Sequence, residues 1–145
     1  MNRLRRTVVA LLALAIARPL AALAAWNKEA FSAKTPGDAL KSLGIADAAP
    51  SKDLHIEAPE IAENGAVVPI EISSAIPGTT ALIVLLEKNP FPLAARFDFK
   101  EGALPFVKVN VKMAETADVR VLAEAGGKHY FAKQEVKITI GGCGG

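Results

Sequence analysis

The chain has 145 residues, of which 51% are hydrophobic, with 17 basic side chains, 15 acidic side chains and one cysteine. This length suits one domain with its own core, and a single cysteine excludes a disulfide within the chain. The formal net charge of +2 comes from the first 24 residues, which hold four arginines and no acid. Without them the net charge is −2, so nucleic acid is a poor candidate for a partner.

Residues 1–24 have the pattern of a signal peptide. Three arginines precede an apolar run, residues 8–17, which is too short for a transmembrane helix because a span needs about 20 apolar residues. Ala22-Leu23-Ala24 is a cleavage motif of the A-x-A type. The pair Arg5 and Arg6 indicates twin-arginine export, with a partial match to that pattern. We therefore predict an exported mature chain that begins at Ala25.

Residues 25–52 are predicted to form a helical segment followed by a linker. A first short helix is expected within residues 27–34. Thr35, Pro36 and Gly44 frame a second helix, because they suit an N-cap, the first helical position and a left-handed C-cap. Residues 46–52 then read as a linker or loop.

From Leu54 onward the pattern changes to short β segments separated by turn residues at intervals of about 8 to 12 residues. The predicted strands are residues 54–57, 66–73, 80–87, 94–99, 106–113, 118–125, 128–132 and 135–140. This spacing predicts a mainly β fold, an antiparallel β-sandwich over residues 53–140.

The predicted strand at residues 80–87 differs from the others, because residues 81–86 are apolar without alternation. Both of its faces should therefore be covered. Either the N-terminal helices pack over the sheet or a second subunit binds its apolar face. Phe91 in the following loop slightly favours a partner, since exposed apolar residues often mark interfaces. The sequence leaves both alternatives open.

The last five residues place the only cysteine, Cys143, between the glycine pairs Gly141-Gly142 and Gly144-Gly145. Glycine has no Cβ and reaches both halves of φ/ψ space, so neither pair fixes or shields the thiol. Five residues extend at most about 17 Å, which would let Cys143 enter a narrow pocket on another protein. We predict that residues 141–145 are a mobile arm anchored on the last strand.

The rest of the sequence shows no catalytic or metal-binding pattern, and His55 and His129 are each more typical of surface or structural histidines. A thiol on a mobile tail is badly placed for a fixed catalytic arrangement. An exposed thiol with an ordinary pKa near about 8.5 is also only slightly ionised at neutral pH. The sequence therefore predicts a carrier without catalysis, cofactor or metal, whose thiol is acted on by other proteins. The alternative is an exported β-sandwich interaction module whose cysteine forms intermolecular disulfides.

Five segments resemble the SoxY family of thiosulfate-oxidation carriers. They are the tail 141–145, the preceding residues 133–140, and residues 58–70, 87–90 with 92–94, and 111–116. The resemblance covers essentially the whole mature chain, and the tail is its most specific part. Phe91 departs from the family pattern, which has a polar residue between the two prolines.

The resemblance implies an immunoglobulin-like sandwich that works in the periplasm in a complex with the SoxZ subunit. It implies that Cys143 is the covalent attachment point for sulfur derived from thiosulfate, and that Gly141, Gly142, Gly144 and Gly145 form a swinging arm. It also implies transient docking to haem-containing SoxAX, which conjugates thiosulfate to the cysteine, and to the SoxB hydrolase, which releases sulfate. In some systems a sulfur dehydrogenase follows.

Overall fold

The computed structural model describes residues 26–141, so the predicted signal peptide and residues 142–145 lie outside the described part. The described residues form two short helices and nine strands. Their bounds are α1 Lys28–Ser32, α2 Pro36–Ser42, β1 Ala49–Pro50, β2 Leu54–Glu57, β3 Ile61–Asn64, β4 Val68–Ser74, β5 Thr79–Leu86, β6 Leu93–Asp98, β7 Phe106–Val111, β8 Ala117–Ala125 and β9 Lys128–Ile140.

The strands form two sheets. The larger has the order β1-β9-β8-β5-β6, with β3 also paired to β9, and the smaller has the order β2-β4-β7. Pairing is antiparallel throughout the smaller sheet and from β9 to β6 in the larger. β1 and β3 instead pair with β9 in parallel. The predicted mainly β sandwich is confirmed, and these two parallel pairs are an addition to it.

The main core lies between the sheets and is built by alternate residues of the facing strands. Its fully buried members include Val68, Ile70, Ile72, Leu82, Val84, Leu86, Met113, Val119, Val121 and Val136. Val107 and Val109 of β7 pack against it and are only half buried, while the neighbouring Lys108 and Asn110 are exposed. Apolar and polar side chains therefore alternate between the two faces of this strand.

A second core covers the outer face of the larger sheet. Ile83 and Leu85 of β5 and Leu122 of β8 pack there against Ala30 of α1 and Ala39 of α2. The continuous apolar run of β5 is thus explained within the chain: Leu82, Val84 and Leu86 face the other sheet, and Ile83 and Leu85 face the helices. The sequence left open whether the N-terminal helices or a second subunit cover this face, and in the structure the helices cover it.

The second helix begins and ends where its capping residues predict. Thr35 Oγ1 accepts a hydrogen bond from the Asp38 N–H at 3.1 Å, and Pro36 is the first helical residue. Gly44 follows with a φ of 74°, a conformation that glycine adopts without steric cost. These local signals set where α2 begins and where it ends.

The last strand differs from the prediction, because the two predicted segments are one strand of 13 residues. Lys133 and Gln134 lie between the two predicted segments, and the side chain of each is bonded to a neighbouring segment. Lys133 Nζ lies 2.8 Å from Asp118 Oδ2 on β8, and Gln134 Nε2 donates to the Ala58 carbonyl at 2.8 Å. The hydrogen bond and charge of Asp118 raise the pKa of Lys133. The strand therefore continues through this pair to Ile140.

Within residues 26–141, neither helix has the length and apolar character required to span a membrane.

Candidate functional site

The candidate site is the place where β9 ends and the tail begins. β9 pairs with β8 up to Val136, and from Lys137 to Ile140 it pairs with β3. The Gly65 N–H, directly after β3, donates to the Ile140 carbonyl at 2.8 Å. The final strand is therefore hydrogen-bonded to its last residue.

Gly141 follows Ile140 and lies against the connection between β7 and β8. A Cβ built on Gly141 would overlap the backbone carbonyl oxygen of Ala114 in that connection. Glycine is thus required here for close backbone approach. We call Gly141, Ile140 and the contacting segment Lys112–Ala114 the tail root. Gly141, predicted as the first residue of the arm, is exposed and seated against this segment.

The Lys112–Ala114 segment is held by the loop between β5 and β6. Asn89 Nδ2 donates to the Lys112 carbonyl at 2.6 Å, and its Oδ1 accepts from the Ala114 N–H at 2.9 Å. Between these two residues, the Met113 N–H donates to the Gly65 carbonyl at 2.7 Å, and the Met113 side chain is fully buried. The tail root is therefore hydrogen-bonded to the loop between β5 and β6 through Asn89 and to the end of β3 through Gly65.

Several apolar side chains are exposed near these residues. Ile140 is 68% exposed and Val67, whose N–H donates to the Asn64 carbonyl at 3.4 Å, is 60% exposed. Phe91 follows Asn89 in the same loop and is 49% exposed, with the Lys34 ammonium 3.6 Å from its ring centre. Its exposure agrees with the expectation of a surface residue. The ammonium ties the loop to the segment between the two helices.

The two histidines lie elsewhere. His55 is exposed on β2, and His129 lies at the opposite end of β9 from Gly141, with Nε2 3.9 Å from Glu124 Oε2. Among residues 26–141 there is no group of three or more His, Cys, Asp or Glu side chains that could hold a metal ion. The described histidines thus have surface and structural surroundings.

A small ion-pair network surrounds the second histidine. Arg96 lies 2.8 Å from Asp98 and 3.1 Å from Glu124. Burial lowers the pKa of Arg96, but the hydrogen bonds and charges of the two carboxylates outweigh it and raise this pKa above its ordinary value. The network links β6 to β8 and stabilises the sheet.

The predicted attachment residue Cys143 and its neighbours Gly142, Gly144 and Gly145 lie outside the described residues. The structure instead adds residues that the sequence did not single out for function, chiefly Asn89. The Asn89-Pro90 dipeptide did signal a turn. The partners of the Asn89 side chain, 23 and 25 residues further along the chain, could not be found from a local pattern.

Comparison with known proteins shows that the chain is similar to sulfur oxidation proteins. Residues 40–143 match the family model described as sulfur oxidation protein SoxY. A solved structure of the sulfur carrier protein SoxY from Chlorobium limicola f. thiosulfatophilum has 40% identity and a TM-score of 0.64, covering 70% of this chain and 92% of its own. No curated protein sequence matches the chain significantly.

A second solved structure shares the fold alone. The superoxide reductase (neelaredoxin) from Ignicoccus hospitalis has 19% identity and a TM-score of 0.52, covering 72% of this chain and 92% of its own. At this identity the likeness concerns the arrangement of strands and carries no activity to this chain.

Proposed function

The chain belongs to the SoxY family, and from that membership we propose that it is a periplasmic carrier that holds sulfur intermediates covalently on Cys143. The observation that carries the proposal is the extent of the family match, residues 40–143, which runs through the sandwich and includes the only cysteine. Residues 1–24 support export, because they have the arginines, apolar run and cleavage motif of a signal peptide.

The proposed role of Cys143 is that of a substrate-bearing group on which other enzymes act. In the first step the cysteine sulfur and the outer sulfur of thiosulfate form a bond. The thiol loses its proton and the two sulfurs together lose two electrons, which a haem-containing SoxAX partner accepts. In the second step a SoxB hydrolase adds water across the bond to the terminal sulfone, so that sulfate leaves and a persulfide remains on Cys143. This chain contributes the thiol and its presentation.

The proposed arm consists of the glycines around that thiol. Gly142, Gly144 and Gly145 carry no Cβ that could fill a narrow entrance, and Gly141 joins them to the strand. The exposed side chains of Ile140 in the tail root and of Val67 offer apolar contact to an enzyme that receives the tail. We propose a stable complex with a SoxZ subunit and transient docking to SoxAX, SoxB and, in some systems, a sulfur dehydrogenase.

Mass spectrometry of the protein from cells grown on thiosulfate tests this function. We expect Cys143 to carry thiosulfonate or sulfane adducts, and Cys143→Ser to abolish thiosulfate oxidation. A matched control combines Cys143→Ser with Lys137→Cys, which keeps one exposed thiol but places it on the ordered strand β9. This control should react with iodoacetamide and fail to carry sulfur.

The same experiment separates the carrier from the interaction module. A tail that bears only intermolecular disulfide, with thiosulfate oxidation intact in Cys143→Ser, would overturn the proposal in favour of that alternative. Loading of the relocated thiol at the wild-type rate would instead show that the position of the cysteine on the tail is unimportant.

A further inference from the structure

The end of β9 and Gly141 are held in place through a side chain that is distant from them in sequence. Asn89 is half buried in the loop between β5 and β6 and uses both ends of its amide on one segment. Its Nδ2 donates to the Lys112 carbonyl at 2.6 Å and its Oδ1 accepts from the Ala114 N–H at 2.9 Å. The two bonds bracket Met113 and fix the backbone on either side of it.

Gly141 lies against this bracketed segment. The Ala114 carbonyl oxygen occupies the space that a Cβ of Gly141 would need. The planar peptide unit that carries the Ala114 N–H also contains the Ala114 Cα, so holding this N–H places the Cα and leaves only φ and ψ of Ala114 between it and the carbonyl oxygen. Asn89 therefore acts on Gly141 through Ala114.

Two hydrogen bonds of Gly65 also join the end of β9 to the Lys112–Ala114 segment. Gly65 is buried, its N–H donates to the Ile140 carbonyl at 2.8 Å, and its carbonyl accepts from the Met113 N–H at 2.7 Å. Ile140 and Met113 thus bind one residue in common. The segment before the tail and the segment beneath it cannot separate without breaking one of these bonds.

We propose that Asn89 is a positioning residue for the tail thiol, an inference that rests on the proposed carrier function. By holding Lys112–Ala114, Asn89 keeps Gly141 at a fixed place and orientation, from which the chain continues to Cys143. Gly141 is then the fixed end of the arm.

The physical benefit is a higher effective concentration of thiol at the pocket of a docked enzyme. Cys143 is two residues beyond Gly141, so its Cα lies at most about 7 Å from that of Gly141. When Gly141, the origin of the arm, is fixed, the thiol samples a volume centred on one point of the docking face. When the origin is loose, the same thiol is spread over a larger volume, and its effective concentration at the pocket falls.

The test replaces Asn89 and measures where the tail is. A nitroxide is attached to Cys143 and a second to His55→Cys, an exposed position on β2, and the distribution of distances between them is recorded. We expect Asn89→Ala to broaden and shift this distribution. Asn89→Asp keeps the acceptor for the Ala114 N–H and loses the donor to Lys112, so it should give an intermediate result. Asn110→Ala, at an exposed position of β7, should leave the distribution unchanged.

Two further measurements distinguish positioning from loss of fold. Labels at His55→Cys and Lys137→Cys, in a chain with Cys143→Ser, should give the same distances with and without Asn89→Ala. The rate at which iodoacetamide alkylates Cys143 should also stay the same, whereas loading by the partner oxidase should lose several-fold in kcat/KM. An unchanged distribution from the Cys143 label in Asn89→Ala would overturn the inference. Because that result does not depend on sulfur transfer, it separates failure of the inference from failure of the carrier function.

Discussion

Gly142 and Gly144 flank the only thiol of the chain, and their lack of a side chain is a testable part of the proposed function. A valine at either position is branched at Cβ, so it restricts χ1 and widens the chain next to the thiol. We expect Gly142→Val and Gly144→Val to lower the rate of enzymatic loading of Cys143 about tenfold, which corresponds to roughly 1.4 kcal/mol in the barrier. Mass spectrometry of adduct formation over time measures this rate.

A matched control for these variants lies in α2. Gly37 is exposed, and a Cβ built on it meets only Thr35 Oγ1, at 4.0 Å, so Gly37→Val places the same side chain far from the thiol in sequence. All three variants should keep the wild-type unfolding temperature, and Gly37→Val should also load at the wild-type rate. Normal loading of the two tail variants would show that the receiving pocket is not narrow.

Among the elements, the contact between the helices and β5 determines how the outer face of the larger sheet is covered. Leu85 is completely buried on the helix-facing side of β5, whereas Leu104 is 83% exposed in the loop before β7. Leu85→Ala should lower the free energy of unfolding by about 2–5 kcal/mol, because it removes buried carbon atoms and leaves a cavity. Leu104→Ala, the same change at the surface, should stay within about 0.5 kcal/mol of wild type.

Denaturant unfolding measures both values. If a second subunit rather than the helices provided the cover for this face, Leu85→Ala would cost little in the isolated chain and its effect would depend on protein concentration. A cost of less than about 1 kcal/mol for Leu85→Ala would therefore contradict the helix-packing arrangement.

The elements that could be predicted from the sequence are those with local signals. The strand at Leu54–Glu57 and the second helix follow from periodicity and from the capping residues Thr35 and Gly44. β1 and β3 were not predicted as strands, because two and four residues are too few for a periodicity to show. Both are defined by parallel pairing with β9, which lies about 80 residues further along the chain.

The candidate site likewise has residues that the sequence predicts and residues that it does not. Cys143 and its glycines could be identified because the tail is a contiguous motif and resembles a known family. Asn89, Gly65 and Ala114 could not, because their roles arise from hydrogen bonds and a close contact between loops that only the folded chain brings together. A half-buried asparagine next to a proline is a common turn residue, and nothing in its sequence neighbours distinguishes a positioning role.

In the whole molecule, the β-sandwich supports the tail, and it should be stable without residues 142–145. Truncation after Gly141 removes residues 142–145, including Cys143, and leaves every strand and its pairing in place. We expect this shortened chain to keep the wild-type free energy of unfolding within about 0.5 kcal/mol and to carry no sulfur. Thermal and denaturant unfolding measure the first property, and mass spectrometry measures the second.

Truncation after Val136 removes the part of β9 that holds β3, and it should behave differently. The register from Ile61 opposite Lys137 to Asn64 opposite Ile140 is lost, as are the hydrogen bonds from the Ile138 N–H to Thr116 Oγ1 and from Thr139 Oγ1 to the Glu63 carbonyl. At about 0.5–1.5 kcal/mol for each hydrogen bond, the loss should amount to several kcal/mol. Faster amide hydrogen exchange in Ile61–Asn64 should accompany it. Equal stability of the two truncated chains would mean that β3 and the end of β9 do not stabilise the sandwich. The fixed origin that we infer for the tail would then have no structural support.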